Sequence, residues 1–285
     1  MRRAVTKNFA NNAFAVHVVP VLKDNYSYVI QDMKTGVAAA VDVSEAKPVL
    51  AVLDKIGSIE KFMVLTTHKH WDHSGGNKDL AASFGKGGTS PVVLVSGDEG
   101  LRIVGGAKDS VPNVTHPVND NDEFNIGSLT VRVLFTPCHT SGHVLYHVFH
   151  PDHPEAGALF SGDTLFVGGI GAFFEGTAKD MLTALDRVTK DVPVETSVFP
   201  GHEYTINFLK FSSSMDKENG FIKEQLNRYE QMRAEGLPTV PSTIHEELVQ
   251  NLFMRCRDPT LKKATGQAAD ASAEFMMDYL YNQCP

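Results

Sequence analysis

Cysteine is scarce in this 285-residue chain, with three at Cys138, Cys256 and Cys284. An odd, sparse set excludes a disulfide framework and fits a reducing compartment. No apolar run approaches the length of a membrane span. Basic charge is in deficit: the formal net charge of −8 argues against a polyanionic partner such as nucleic acid. There is no G-x-x-x-x-G-K-[ST] loop for nucleotide phosphates. Gly168-Gly169-Ile170-Gly171 lacks the glycine spacing and following helix start of a dinucleotide fingerprint. Internal repeats and low-complexity tracts are absent. What remains is an ordinary globular composition, 42% hydrophobic and 21% charged, enough for one large domain or two smaller ones. Arg2, Arg3 and Lys7 precede the first acid, Asp24. That leaves a mitochondrial presequence open. A short ragged terminus is the simpler reading, and a cytoplasmic monomer is expected.

Histidine is the residue present in an unusual arrangement. Thr67-His68-Lys69-His70-Trp71-Asp72-His73 packs four metal-ligand candidates into six residues, in a chain with 12 histidines. The apolar run Phe62-Met63-Val64-Leu65 before it reads as a buried strand, and Gly75-Gly76 follows. The cluster therefore sits where a strand gives way to a loop. In an extended chain His68, His70 and Asp72 share one side, and His73 must reach elsewhere or the chain must turn. Two neighbouring ions suit that better than one. A helical zinc site would space its histidines four apart.

Further strands are expected at 14–21, 26–30, 37–41, 92–95, 129–135, 145–149, 158–160 and 194–199, with helices at 48–56 and 77–84. Thr177 and Asp180 read as the cap of a helix with an apolar face at Met181, Leu182, Leu185 and Val188. The stretch 97–120 gives no clear pattern. Strand patterns then end, and 207–234, 243–250 and 271–281 read as helical, with a capping box at Thr243 and Glu246. The division expected is an α/β domain over 1–205 and a helical domain over 206–285.

Four expected strands end in a ligand candidate: the 68–73 cluster, His139, Asp163 and His202. Five histidines and two aspartates can serve two ions, with Asp163 as the bridging carboxylate. Such donors without thiolate suit zinc, iron(II) or manganese(II), and zinc is the expectation. Two ions lower the pKa of bound water toward 7 and polarise a carbonyl. A metal-bridging hydroxide, with Asp72 and Asp163 as catalytic carboxylates, then needs no serine or cysteine nucleophile. Cys138 is expected to pack. His143 is open between orienting a ligand and packing, and His147, His150 and His153 are expected in solvent.

T-H-x-H-x-D-H followed by His139, Asp163 and His202 resembles the metallo-β-lactamase superfamily. Gly162-Asp163-Thr164-Leu165-Phe166, Phe174-Glu175-Gly176-Thr177, Gly201-His202-Glu203-Tyr204-Thr205, Pro241-Ser242-Thr243-Ile244 and Phe253-Met254-Arg255 resemble glyoxalase II, the hydroxyacylglutathione hydrolases. The resemblance implies an αββα sandwich with an added α-helical C-terminal domain. It implies hydrolysis of S-D-lactoyl thioesters to D-lactate and free thiol, the second step of methylglyoxal detoxification. His68, His70, His139 and Asp163 would hold one ion, and Asp72, His73, His202 and Asp163 the other. Tyr204 matches a tyrosine that contacts glutathione.

The chain departs from the family at its basic groups. Ala172 and Phe174 stand where a lysine and a tyrosine are expected, and Asp278 and Tyr281 fall near an expected arginine–lysine pair. A buried carboxylate without a cation is costly, so a thiol without a free glycine carboxylate is indicated. Trypanothione, glutathione amide-linked to spermidine, fits. Asp278 would attract its ammonium, and Ile170, Phe174 and Tyr281 would flank its methylenes. The competing reading is that the basic pair has moved, to Lys262 and Lys263. Alternatives are a glutathione-specific enzyme, a persulfide dioxygenase or lactonase of the same fold, or a non-catalytic metal-stabilised module.

Overall fold

The computed structural model describes residues 4–57, 59–84 and 101–285. Its first sheet runs in sequence order: β1 (Val5–Phe9), β2 (Phe14–Val21), β3 (Asn25–Asp32), β4 (Val37–Val41), β5 (Lys61–Thr66), β6 (Arg102–Gly106) and β7 (His116–Val118). β1 to β4 pair antiparallel, and β4 to β7 pair parallel. The second sheet contains β8 (Glu123–Ile126), β9 (Leu129–Phe135), β10 (Val144–His150) and β11 (His153–Gly162). Beyond them a two-stranded hairpin, β12 (Leu165–Phe166) and β13 (Gly169–Ile170), stands apart. β14 (Ser197–Pro200) and β15 (Ser242–Thr243) complete the second sheet, in the order β15-β14-β11-β10-β9-β8.

The period-two alternation of valine and alanine divides the core. Val16, Val18, Tyr28, Ile30, Ala39 and Val41 face the second sheet. Val19, Val29, Ala38, Ala40 and Val64 pack outward on Val49 and Leu53 of α1 (Ala46–Ile56) and Leu80. Between β5 and β6 lie α2 (Trp71–Ser74) and α3 (Asn77–Ser83), the latter carrying Leu80. On the far side, α4 (Ala178–Asp191) packs Met181, Leu182, Leu185 and Val188 into the larger core. Its Thr177–Asp180 capping box is present. Helix, sheet, sheet and helix follow in layers, as the resemblance implied.

The helical region contains α5 (Thr205–Met215), α6 (Gly220–Ala234), α7 (Ile244–Gln250), α8 (Pro259–Ala264) and α9 (Ala273–Gln283). Three details correct the sequence expectations. The stretch 207–234 is two helices, because Asn219 caps α6 by accepting from Ile222 N–H. Strand character returns once, where β15 joins β14. The N-terminal segment is a paired strand, β1, turned onto β2 through three residues at positive φ, Ala10, Asn11 and Asn12. The strand expected at 92–95 lies outside the described residues. Among the described residues, no helix is long and apolar enough to cross a membrane.

Strand direction places the site. β4 and β5 are parallel, as are β11 and β14. β9 points the same way as β11, because each is antiparallel to β10. Residues after β4, β5, β9, β11 and β14 can therefore meet along one edge, where open α/β sheets hold their ligands.

Candidate metal centre

The 68–73 cluster does not run extended. His73 and Ser74 N–H both donate to the His70 carbonyl at 3.0 Å, starting the helical turn α2. Ser74 Oγ donates to the same carbonyl at 2.9 Å. The turn sends Asp72 away from His68 and His70 and toward His73. Two groups result, each with ligand atoms within 4.8 Å of one another: His68, His70, His139 and Asp72, His73, His202. Asp163 lies between them. Its Oδ2 is 3.4 Å from His139 Nε2 and 3.3 Å from His202 Nε2, and its Oδ1 is 3.4 Å from His73 Nε2. His70 and Asp72 are half-buried, and the other five are buried.

Tautomers can be assigned from the hydrogen bonds. Thr67 Oγ1 donates to Asp42 Oδ2 at 2.8 Å, so it can only accept from His68 Nδ1, at 3.0 Å. His139 Nδ1 donates to the Ala172 carbonyl at 3.0 Å. His73 Nδ1 donates to Asp42 Oδ2 at 3.0 Å, and His202 Nδ1 to Asp24 Oδ1 at 3.1 Å. In its neutral form each of these rings turns a bare Nε2 lone pair inward. His70 Nδ1 lies 3.1 Å from His68 Nε2 and 3.0 Å from His139 Nε2, and the Nε2 atoms of His73 and His202 are 3.3 Å apart. Buried acceptors crowded this closely require a cation or extra protons. Asp163 Oδ1 is also buried with no hydrogen-bond partner. The donor set therefore fits a binuclear metal site, with nitrogen and oxygen donors suited to zinc, iron(II) or manganese(II).

Asp42 also lies within reach of His68 and His73. Its oxygens are occupied, accepting Thr67 N–H at 2.8 Å as well as the Thr67 hydroxyl and His73. It orients ligands instead of adding one. Sequence reasoning missed Asp42. The available signal was its place at the end of Val37–Val41, a strand that delivers no other polar side chain to the edge. Asp24 was missed too, and so was Asn25, whose amide donates to Asp72 Oδ2 at 2.9 Å. His143 is fully buried, and its Nε2 accepts Asp163 N–H at 3.1 Å. Gly162, at φ +47°, makes room: a Cβ there would lie 2.5 Å from Thr67 Oγ1 and 2.8 Å from His143 Nε2.

Electrostatics differ between the groups. Burial pushes His68 well below the ordinary histidine value, helped by the neighbouring histidines, and burial also lowers His139. Burial would lower His73 too, but the carboxylates of Asp163 and Asp42 hold it well above. Against the same burial, Asp163 and Asp72 raise His202 to about 9. Asp163 itself is held well below the carboxylate range: burial opposes this, but His73 and His202 outweigh it.

The residues expected to touch substrate are not all brought together. Tyr204 stacks on His202, with centroids 4.7 Å apart. Phe174, 67% exposed, lies against His70 and His139 at 5.8 and 5.0 Å. Ala172 uses its carbonyl on His139. Ile170 is buried in β13 and contributes to the core. Tyr281 stacks on Phe173 at 4.0 Å, and Asp278 is exposed one turn before it on α9. Cys138 is buried, as expected. His147 is not in solvent: it is 2% exposed, on the central strand β10, while His150 and His153 are partly exposed.

The metallo-beta-lactamase superfamily model matches residues 63–202, and the hydroxyacylglutathione hydrolase C-terminus model matches 203–280. A metallo-beta-lactamase from Staphylococcus aureus superposes with a TM-score of 0.62 at 22% identity, over 100% of this chain and 68% of its own, a likeness of fold. Fold and site thus define a metal-dependent hydrolase of the metallo-β-lactamase fold. A hydroxyacylglutathione hydrolase-like protein of Gallus gallus is 42% identical over 252 residues, 88% of this chain and 84% of that protein. The cytoplasmic hydroxyacylglutathione hydrolase of Arabidopsis thaliana is 41% identical over 249 residues, 87% and 90% of the two chains. The chain belongs to the hydroxyacylglutathione hydrolase family, glyoxalase II.

Proposed function

We propose that this protein hydrolyses S-D-lactoyl thioesters of a glutathione-type thiol to D-lactate and free thiol. The observation that carries the reading is the convergence of imidazole nitrogens in two groups about one buried carboxylate, Asp163, whose Oδ2 lies between His139 and His202 and whose Oδ1 has no hydrogen-bond partner. His68, His70 and His139 would hold one divalent ion, Asp72, His73 and His202 a second, and Asp163 would face both. Ions bound there would acidify a water and polarise the thioester carbonyl. The chain's own contribution is placement. Asn25 fixes Asp72, the half-buried carboxylate that would take the proton of the attacking water. Tyr204, stacked on His202, orients the thiol part. Phe174 forms an apolar wall beside His70 and His139.

The identity of the thiol is the finer question. The relatives named above are hydroxyacylglutathione hydrolases, which favours glutathione. One observation favours trypanothione: Ala172, Phe174, Asp278 and Tyr281 supply no cation, and Lys69, between two of the histidines, is paired with Glu175 at 2.6 Å. A free glycine carboxylate would find no partner among these residues. Hydrolysis of S-D-lactoylglutathione and S-D-lactoyltrypanothione, measured on the zinc-loaded protein and after chelation, tests both levels. Turnover of either ester that chelation abolishes and metal restores supports the hydrolase. Equal rates, or a preference for glutathione, remove the trypanothione reading. No turnover of either with two ions bound sinks the hydrolase reading.

A further inference from the structure

The acceptor that orients His139 lies on a segment gripped from the helical region at both ends. At its start, Glu247 of α7 accepts Gly168 N–H at 2.7 Å. Asn251, just past α7, donates to the Gly169 carbonyl at 2.9 Å. Glu247 is fully buried and also accepts from the amides of Gln250 and Asn251, at 2.7 and 3.1 Å. Carboxylate and amide thus form one closed clamp on the β12–β13 turn. At the other end, the phenol oxygen of Tyr281 on α9 accepts Phe173 N–H at 3.2 Å. Its ring lies on that of Phe173, 4.0 Å away and 13° from parallel. Between the two anchors there is no slack. A Cβ on Gly171 would fall 1.7 Å from the Asp163 carbonyl oxygen. The next residue, Ala172, turns its carbonyl to His139 Nδ1.

We propose that Glu247, Asn251 and Tyr281 are positioning residues for His139. Through the segment 168–173, the helical region then sets how tightly the His68–His70–His139 group holds its ion. The reasoning is geometric. An imidazole directs its Nε2 only as well as its Nδ1–H is held, and the holder here is a backbone carbonyl with no rigidity of its own. Its position is set by the anchors on either side. Partners that orient a ligand directly are typically worth about 10–100-fold in metal affinity, and anchors one step removed belong at the low end. The proposal rests on the two-ion reading above.

The test is zinc binding to metal-free protein, in competition with a chromophoric chelator that resolves two dissociation constants. His139→Ala and His202→Ala assign each constant to its group. Tyr281→Phe removes the phenol oxygen and keeps the ring stack. Glu247→Ala removes the clamp, and Glu247→Gln retains an oxygen for Gly168 N–H. Tyr281→Phe and Glu247→Ala are expected to weaken the His139-dependent constant by roughly tenfold and leave the other unchanged, with Glu247→Gln recovering most of the loss. If Glu247→Ala fails to fold, Tyr281→Phe carries the test alone. A Tyr281→Phe protein that raises KM with both constants unaltered makes Tyr281 a substrate contact and overturns the proposal. Equal weakening of both groups makes the anchors general scaffolding and also overturns it. Wild-type protein that binds fewer than two ions sinks the underlying reading, and the proposal with it.

Discussion

His68 and His139 give their Nδ1 protons to a hydroxyl and a backbone carbonyl, whereas His73 and His202 give theirs to the carboxylates of Asp42 and Asp24. The rings are otherwise alike, buried and facing the same aspartate. Burial prevails in the first pair and lowers both pKa values. In the second pair the surrounding carboxylates prevail and raise them. A carboxylate behind an imidazole makes it a stronger donor as well as a fixed one. The second group would therefore hold a cation by charge, with Asp72, Asp42 and Asp24 all near two histidines. The first would hold it by geometry, with three imidazoles and an acceptor carried on a loop.

Removing the group common to both halves erases the contrast and carries the largest effect. Asp163→Asn keeps the shape but loses the charge that His73 and His202 face. Both ions should bind weakly, and thioester turnover should fall by about a thousandfold or more, matching the several kcal/mol a bound cation contributes. Metal content and kcat measured on the same preparation check this. Full occupancy with normal kcat would show that Asp163 is not shared.

Asp42→Asn and Thr67→Val separate the halves. Three donors converge on Asp42: Thr67 N–H, the Thr67 hydroxyl and His73 Nδ1–H. An asparagine must turn an N–H toward at least one of them. The Asp72–His73–His202 group should lose roughly 10–100-fold in metal affinity, with a lesser loss relayed through Thr67 to His68. Thr67→Val removes the acceptor of His68 and one of the three donors to Asp42, and should weaken the first group more than the second. Equal effects on both groups from both variants would end the distinction drawn above.

How much of this was legible follows from what each residue's neighbours are. The seven ligand candidates could be read because each sits directly after an apolar strand, and strand ends gather at an edge. The change from an α/β to a helical character followed from the same runs, and the layered sandwich from the family resemblance. The residue pattern leaves open the turn at Trp71–Ser74, since a four-residue helix has no periodicity to detect, and only the family resemblance puts Asp72 with His73 and His202. Asp42 and Asp24 were hidden because an orienting aspartate has no fixed spacing from the histidine it serves; here the separations are 31 and 178 residues. The burial of His147 was lost for another reason. Pro151 and Pro154 announce a turn, but β10 and β11 both run to its edge, so the polar residues beside the turn belong to strands.

Asp24 offers a finer version of the comparison, because it does for His202 what Asp42 does for His73 from a more exposed position. Its side chain is 34% accessible, against 3% for Asp42. Solvent screens such a charge strongly. Asp24→Asn should cost only about threefold in the affinity of the second group, below the usual range for an orienting partner. The deficit should shrink further in high salt, while that of Asp42→Asn should not. The same chelator competition at two ionic strengths reads both. A salt-independent loss at Asp24 would mean that it acts by position and not by charge.

His147 is the limiting case, a buried histidine with no acceptor behind it at all. Neither ring nitrogen has a hydrogen-bond partner. It fits only because position 157 is glycine, where a Cβ would lie 2.8 Å from its Nε2. Burial, helped by the charge of Arg132 across the strand pair, pushes it down to about 4. That is below its value in the unfolded chain, so the unfolded state binds more protons between about pH 6.5 and 4. The folded protein must then lose stability as pH falls through that window, by up to about 1.4 kcal/mol per pH unit. His147→Leu fills a similar space and leaves nothing unpaired. Near pH 7.5 it should stabilise by about 1 kcal/mol, since an unsatisfied buried polar group costs about 1–3 kcal/mol. Its advantage over the wild type should widen as the pH is lowered toward 4. Urea unfolding of both metal-free proteins at pH 7.5, 5.5 and 4.5, compared as differences, cancels every other titration. Parallel curves would mean that His147 finds a partner in solution, and that burial alone does not decide the state of a histidine in this protein.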